Sequence, residues 1–442
     1  MNESLNIECE WWGPSGEESK VMQACRAAIE IRVGGHSLTR LEDTWADTIR
    51  NRMNGNAYTL ARWFAGNWWR LRWEPETLSS QGDVDWRMSH SMGSAGEGFS
   101  WPGILFASDG DSIAIASRAN RGQVMGPVRY LSELSERIAV KEFERGVDSF
   151  LSLVLSRLHA KGCGQSELAE LWEEVTRERA NPQLTSLRRM EAICGYDPDE
   201  APEELIKLLL EDTYQLGKHA VEEVAAHARH HTQTVLATIK ALSATKGSPQ
   251  GGGFRSHPQT LKSKPKHQRK LRPWEQASLL AGKAREEWNL DNGPVSNMHL
   301  ANCFKINEKV FSRPKSLSDV PLSLGLSNNK DNSLDVYLEK RPGTSRRFAA
   351  CRLLGQWLEM NGETERLIPV AEAKTAQQQF QRAFAQEFLC PYGALMNRLQ
   401  SERPTQEDIE DAAEHFGVSP LLVRTTLVNN GELDRESLKW VA

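Results

Sequence analysis

The sequence has no Cys-x-x-Cys pair, and its seven cysteines, at 9, 25, 163, 194, 303, 351 and 390, are odd in number and widely spaced. That pattern excludes a disulfide framework and fits reduced thiols in a cytoplasmic protein. Long hydrophobic runs are also lacking, since no stretch approaches about 18 apolar residues, and Met1-Asn2-Glu3-Ser4 has neither the basic start nor the apolar core of a signal peptide. A soluble chain without membrane contact is the expectation. Nor is there charge of one sign: 54 Lys and Arg stand against 59 Asp and Glu, for a net charge of −5. A histone-like role is thereby excluded, and a nucleic-acid site would have to be a local patch. What is present is ordinary globular material, 442 residues with 39% hydrophobic and 26% charged side chains. That is length for about three domains of roughly 150 residues, each able to bury its own core.

The 14 tryptophans are unevenly placed, with nine in the first 101 residues. Within that stretch Ala27 to Val33 alternates as a half-buried strand, Ile104 to Ala107 and Ser112 to Ser117 flank Asp109-Gly110-Asp111 as a hairpin, and Asn56 to Trp69 reads as helix. Residues 1–138 are therefore expected to form a Trp-rich α+β module. From Val140 the period changes, with Phe143, Val147, Phe150, Leu151, Val154 and Leu158 on one helical face and Gly162 placed to end it. A helical segment is expected over 139–242, including one long helix from Pro202 towards His231 that opens on acids and a proline. Residues 243–272 carry Gly251-Gly252-Gly253, and no acid occurs between Glu223 and Glu275. They read as a basic Gly/Pro linker. Beyond it, helical patterns at Trp274 to Leu290, Val295 to Phe304 and Ser345 to Met360 surround a strand-like Ser333 to Leu338.

A zinc peptidase of the HExxH kind needs two histidines four apart, so that both imidazoles leave one helix face towards the metal, with the glutamate between them as base. The C-terminal third contains Trp274-x-x-Ala277 at a helical entry, then Arg346-Arg347-Phe348-Ala349-Ala350 leading into the next helix. Phe384-Ala385-Gln386-Glu387-Phe388-Leu389-Cys390-Pro391 and Ala413-x-x-Phe416-Gly417-Val418-Ser419 follow in order. By these motifs residues 273–442 resemble the ImmA/IrrE-type zinc peptidase family, which implies a zincin-like α+β domain and an overall α+β, mainly helical protein. The five positions that align with HExxH are Arg352-Leu353-Leu354-Gly355-Gln356, and the third ligand, an acid on the next helix in that family, falls among Gln377-Gln378-Gln379-Phe380. Arginine offers no lone pair, leucine cannot act as base and a glutamine amide is a poor zinc ligand. Arg352, Leu353, Gln356 and Gln378 thus read as a degenerate metal site, with no metal, no cofactor and no hydrolysis. Cys351 and Cys390 read as core thiols.

Four other constellations carry weaker signals. Asn67 to Trp73 interleaves Trp68, Arg70 and Arg72 as a stacking platform for bases would, although tryptophans at helical spacing also serve as core. Ser89 to Gly98 is glycine-rich around His90 but matches neither a phosphate loop nor a nucleophile elbow, and reads as a flexible connection. Glu223, His227, His230 and His231 offer metal-like i,i+4 spacing, but a solvated helix end is the simpler reading. Ala413 to Val423 looks like a helix-turn-helix, yet its second helix is too apolar to read a groove.

Two functions follow as expectations. The first is a non-catalytic regulatory or adaptor protein in which the metal-free pseudo-peptidase domain holds a protein partner; the family resemblance implies a setting in stress regulation or phage defence. The second is a nucleic-acid-binding factor, with Arg255, Lys262, Lys264, Lys266, Arg269, Lys270 and Arg272 neutralising phosphates and Trp68, Arg70 and Arg72 contacting bases.

Overall fold

The computed structural model describes residues 4–13, 19–77, 83–120, 126, 128–244, 253–254, 271–304, 306–312, 320–328, 333–339, 341–360, 365–399, 404–434 and 437–438. The protein is α+β and mainly helical. It divides into two compact units, one made of Met1–Lys207 with Ala373–Thr375 and the other of Leu208–Glu372 with Ala376–Ala442. The helices expected as one middle segment over 139–242 are thus shared between the two units.

In the first unit the strand Arg26–Val33 is flanked by antiparallel Leu5–Trp11, with Leu5 opposite Val33, and by Met53–Asn56. Because it lies between neighbours and beneath helices, its Ala27 to Ile31 are all buried, not half-buried as alternation suggests. The Asp109-Gly110-Asp111 turn forms where expected, joining Leu105–Ser108 to Ser112–Ser117. Asp109 Oδ1 accepts from the N–H groups of Asp111 and Ser112, and Gly110 supplies a φ of 96°. Strand Leu134–Ala139, paired antiparallel with Ser112–Ser117, feeds straight into the Val140–Ala160 helix, which buries the predicted face from Phe143 to Leu158.

The helix read over 56–69 is in fact two, Ala57–Gly66 and Trp68–Trp73, broken at Asn67. Glu167–Ala180 and Pro182–Ile193 complete the helical layer, the second opening on an Asn181 cap with proline in its first turn.

The core of the second unit sits between a four-stranded antiparallel sheet, ordered Gly253–Phe254, Ser333–Tyr337, Leu324–Asn328, Leu367–Pro369, and three helices, Pro273–Glu287, Gly343–Met360 and Ala376–Leu389. Gly355 matters here because a Cβ at this position would lie 2.5 Å from the Phe384 ring, so only glycine lets the last two helices approach this closely. The long helix expected from Pro202 to His231 is interrupted. Glu203–Leu216 and Lys218–Ala228 are separated by Gly217 at φ 105°, and the second ends at Arg229 with φ 48°. Gln406–Phe416 and Pro420–Asn429 pack by Phe416, Val423 and Leu427 around a left-handed Gly417, as terminal packing helices do.

Candidate functional site

Helical geometry puts Arg352 and Gln356 one turn apart on Gly343–Met360, and the following helix brings Gln378 against them. Arg352 is 6% exposed and Gln378 fully buried. The Arg352 Nη2 donates to Gln378 Oε1 and, at 2.8 Å, to the Ala371 carbonyl. Gln378 Oε1 also accepts from the Ala371 N–H at 2.9 Å, while its amide nitrogen donates to the Pro369 carbonyl at 3.2 Å. Gln381 reaches the same Pro369 carbonyl at 3.1 Å, and Arg382 Nη2 reaches the Ala371 carbonyl at 3.2 Å. One guanidinium and one carboxamide therefore tie two helices to the chain that leaves strand Leu367–Pro369. Buried Arg352 Nε and Gln356 Oε1 have no hydrogen-bond partner among the described residues.

The residues at this place do not fit zinc. Burial and the neighbouring Arg382 push the Arg352 pKa down, against the pull of Glu223, Glu372 and Glu339, but a guanidinium starts so high that it keeps its charge. A divalent ion about 4 Å from that charge would meet roughly 8 kcal/mol of repulsion at an effective dielectric of about 20. Leu353, which the resemblance aligns with a catalytic glutamate, is wholly inside the apolar core. Cys351 and Cys390 are fully buried, desolvation raises both thiols, Cys390 to about 12, and neither is poised as a thiolate ligand. Among the described residues no group of three or more His, Cys, Asp and Glu side chains gathers as a metal would require.

The nucleic-acid contacts expected of the Trp/Arg segment are corrected. Trp68 is 1% exposed, stacked on Phe143 at 6.2 Å and edge-on to Trp172 at 5.4 Å, so neither face is open to a base. Arg70 is equally buried and held by Glu74 at 2.7 Å and Asp85 at 2.7 Å; Arg72 pairs with Glu144 at 2.9 Å and lies over Trp73. These cations are neutralised inside the fold. Arg255, Lys262, Lys264, Lys266, Arg269 and Lys270 lie outside the described residues; Arg272 is exposed at the start of Pro273–Glu287.

The stretch around His90 is not a flexible connection but a helix, Val84–His90, followed by a 3-10 turn, Met92–Ala95. His90 has no exposed surface, stacks on Trp86 at 4.3 Å and bonds the Trp86 carbonyl through Nδ1 at 2.9 Å. Since a carbonyl can only accept, Nδ1 carries the proton. Burial, with Arg70 nearby, pushes the pKa down to about 3. A base depressed in the native state costs stability as pH falls below the unfolded value of 6.5. Unfolding by urea between pH 7 and pH 5 should therefore show a loss approaching about 1.4 kcal/mol per pH unit below 6.5 that the His90→Gln variant lacks; equal slopes for the two proteins would contradict this.

The histidine cluster is also dispersed. With the helix broken at Arg229, His227 and His231 do not share a face; His230 and His231 are exposed, whereas His227 Nδ1 accepts from the Glu372 N–H at 3.3 Å. Glu223, assigned to a solvated helix end, is buried. The sequence reading missed Arg382 and Glu223 as neighbours of Arg352. The i,i+4 step from Gln378 to Arg382 was the available signal for the first; nothing local announced the second.

No protein-family model, no curated protein and no solved structure matches this chain.

Proposed function

We propose that the second unit is a metal-free pseudo-peptidase domain and that the protein is a non-catalytic regulatory or adaptor factor that binds a protein partner. The observation that carries this reading is the buried Arg352 guanidinium, bonded to Gln378 and Ala371 where the family resemblance puts two zinc ligands. A fixed cation in that position leaves no site for a second one and no base to activate water. The resemblance to ImmA/IrrE-type peptidases, carried by the spacing of Trp274, Gly355, Glu387 and Phe416, supports a setting in stress regulation or phage defence. What remains of the nucleic-acid reading is the basic stretch before Pro273, because Trp68, Arg70 and Arg72 are engaged within the first unit.

The direct test is hydrolysis of an unstructured protein by the purified chain with added zinc, with and without a chelator. No cleavage above a heat-inactivated control is expected. Chelator-sensitive cleavage would overturn the reading.

A further inference from the structure

The helix Lys218–Ala228 is fastened to the chain on either side of strand Leu367–Pro369 by a hydrogen bond at each end, and the two bonds differ in chemistry. At its start the His219 N–H donates to Glu365 Oε1 at 3.0 Å. A carboxyl group keeps an accepting oxygen whether or not it is ionised, so this bond tolerates a change of protonation. At its end the Glu372 N–H donates to His227 Nδ1 at 3.3 Å. That bond requires a bare Nδ1, because an imidazolium carries protons on both ring nitrogens and can only donate. Protonation of His227 sets one N–H against another, and the contact is lost.

Both signs of charge surround the ring. Glu372 and Glu339 favour its cation, whereas burial, Arg341 and Arg352 oppose it; burial is the largest influence and holds the ring below its ordinary 6.5. Arg341 pairs with Glu339 and with Glu372, each at 3.3 Å. On the ring's own helix Glu223 stands one turn back, and Arg229 follows the helix end. Helix Thr232–Ala244 packs alongside, and its Lys240 is taken by Asp212 at 2.9 Å. Glu372 itself adjoins Ala371, whose carbonyl accepts from Arg352 and Arg382 and whose N–H donates to Gln378.

We propose that His227 is an acid-sensitive switch beside the Arg352 cluster: neutral, it fastens the Glu372 main chain, and as the cation it lets that N–H go. The contact is present above the native pKa of the ring and lost as pH falls through it, below 6.5. The change stops at Glu372, since the bonds of Ala371 to Arg352, Arg382 and Gln378 involve no group that titrates in this range. This inference is independent of the functional reading above.

The test is hydrogen exchange of the full-length chain at pH 7.5 and pH 5, each rate divided by the intrinsic rate at that pH. Protection of the Glu372 amide should fall by about tenfold at pH 5, while the His219 amide and the amides of Gly343–Met360 keep theirs. His227→Asn places an oxygen that does not titrate as many bonds from the backbone as Nδ1, and in that variant the Glu372 amide should be equally protected at both pH values. Undiminished protection in the wild type would overturn the switch, and an equal fall in His227→Asn would assign it to another group. Should His227→Asn fail to fold, a pH series on the wild type decides: the loss must set in below pH 6.5 as a single-proton titration, and a loss that begins above 6.5 would overturn the assignment.

Discussion

Arg188→Leu should destabilise the first unit by about 3–5 kcal/mol at pH 7, the largest effect expected of any single substitution in this protein. Arg188 is 6% exposed and holds Glu178 through Nε at 2.7 Å, Glu191 through Nη1 at 2.9 Å and Asp199 through both terminal nitrogens. Glu178 and Glu191 are themselves 3% and 4% exposed. Removing the guanidinium strands two buried carboxylates beside each other, one keeping the Trp69 Nε1–H and the other the Asp199 N–H among the described residues. The sign of the pH dependence follows. Desolvation already raises the Glu191 carboxyl in the native state. Without Arg188 the Glu191 carboxyl moves further up, and a carboxyl raised on folding favours the native state only where it is protonated. The deficit relative to wild type should therefore shrink as pH falls from 7 towards the unfolded carboxylate range. Chemical denaturation of both proteins at pH 7 and pH 5 measures this; a deficit that stays constant or grows at pH 5 would contradict it.

Arg352 is as deeply buried, yet the opposite contrast is expected there. Its partners are a carbonyl and an amide oxygen, and both keep another donor when it is gone: Ala371 O retains Arg382, and Gln378 Oε1 retains the Ala371 N–H. Among the described residues no carboxylate is hydrogen-bonded to Arg352. Arg352→Met, which preserves most of the volume, should cost no more than about 1.5 kcal/mol, whereas Arg352→Ala should cost about 3 kcal/mol because it leaves a void between two packed helices. Equal losses for the two variants would mean that the charge, not the packing, holds the helices together. The contrast expected between Arg188 and Arg352 rests on the groups that face each buried guanidinium: carboxylates in one case, a carbonyl and an amide oxygen in the other.

Much of the fold was legible because periodicity reports burial directly. The Phe143 to Leu158 face, the Asp109-Gly110-Asp111 turn and the helix bearing Arg352 all lie where the pattern puts them. Arg352 and Gln378, which the resemblance to a peptidase motif pairs across two helices, do meet in the structure. Trp68 to Trp73 was misread for a physical reason: aromatics alternating with arginines suit a stacking platform and an ion-paired core equally well. The deciding carboxylates, Asp85 and Glu144, come from elsewhere in the chain. The breaks at Gly217 and Arg229 were hidden because the helical pattern on either side continues in register.

The Arg352 guanidinium stands where the proposed peptidase resemblance would put a metal. The most direct measurement is the zinc content of the purified wild-type chain after equilibration with excess zinc and removal of free ion, beside the Arg352→His, Leu353→Glu, Gln356→His, Gln378→Glu quadruple variant. Wild type should retain substoichiometric zinc, and the variant, with ligands introduced at the four positions, should retain one ion per chain. One tightly held zinc per wild-type chain, unaffected by Arg352→Met, would contradict the account.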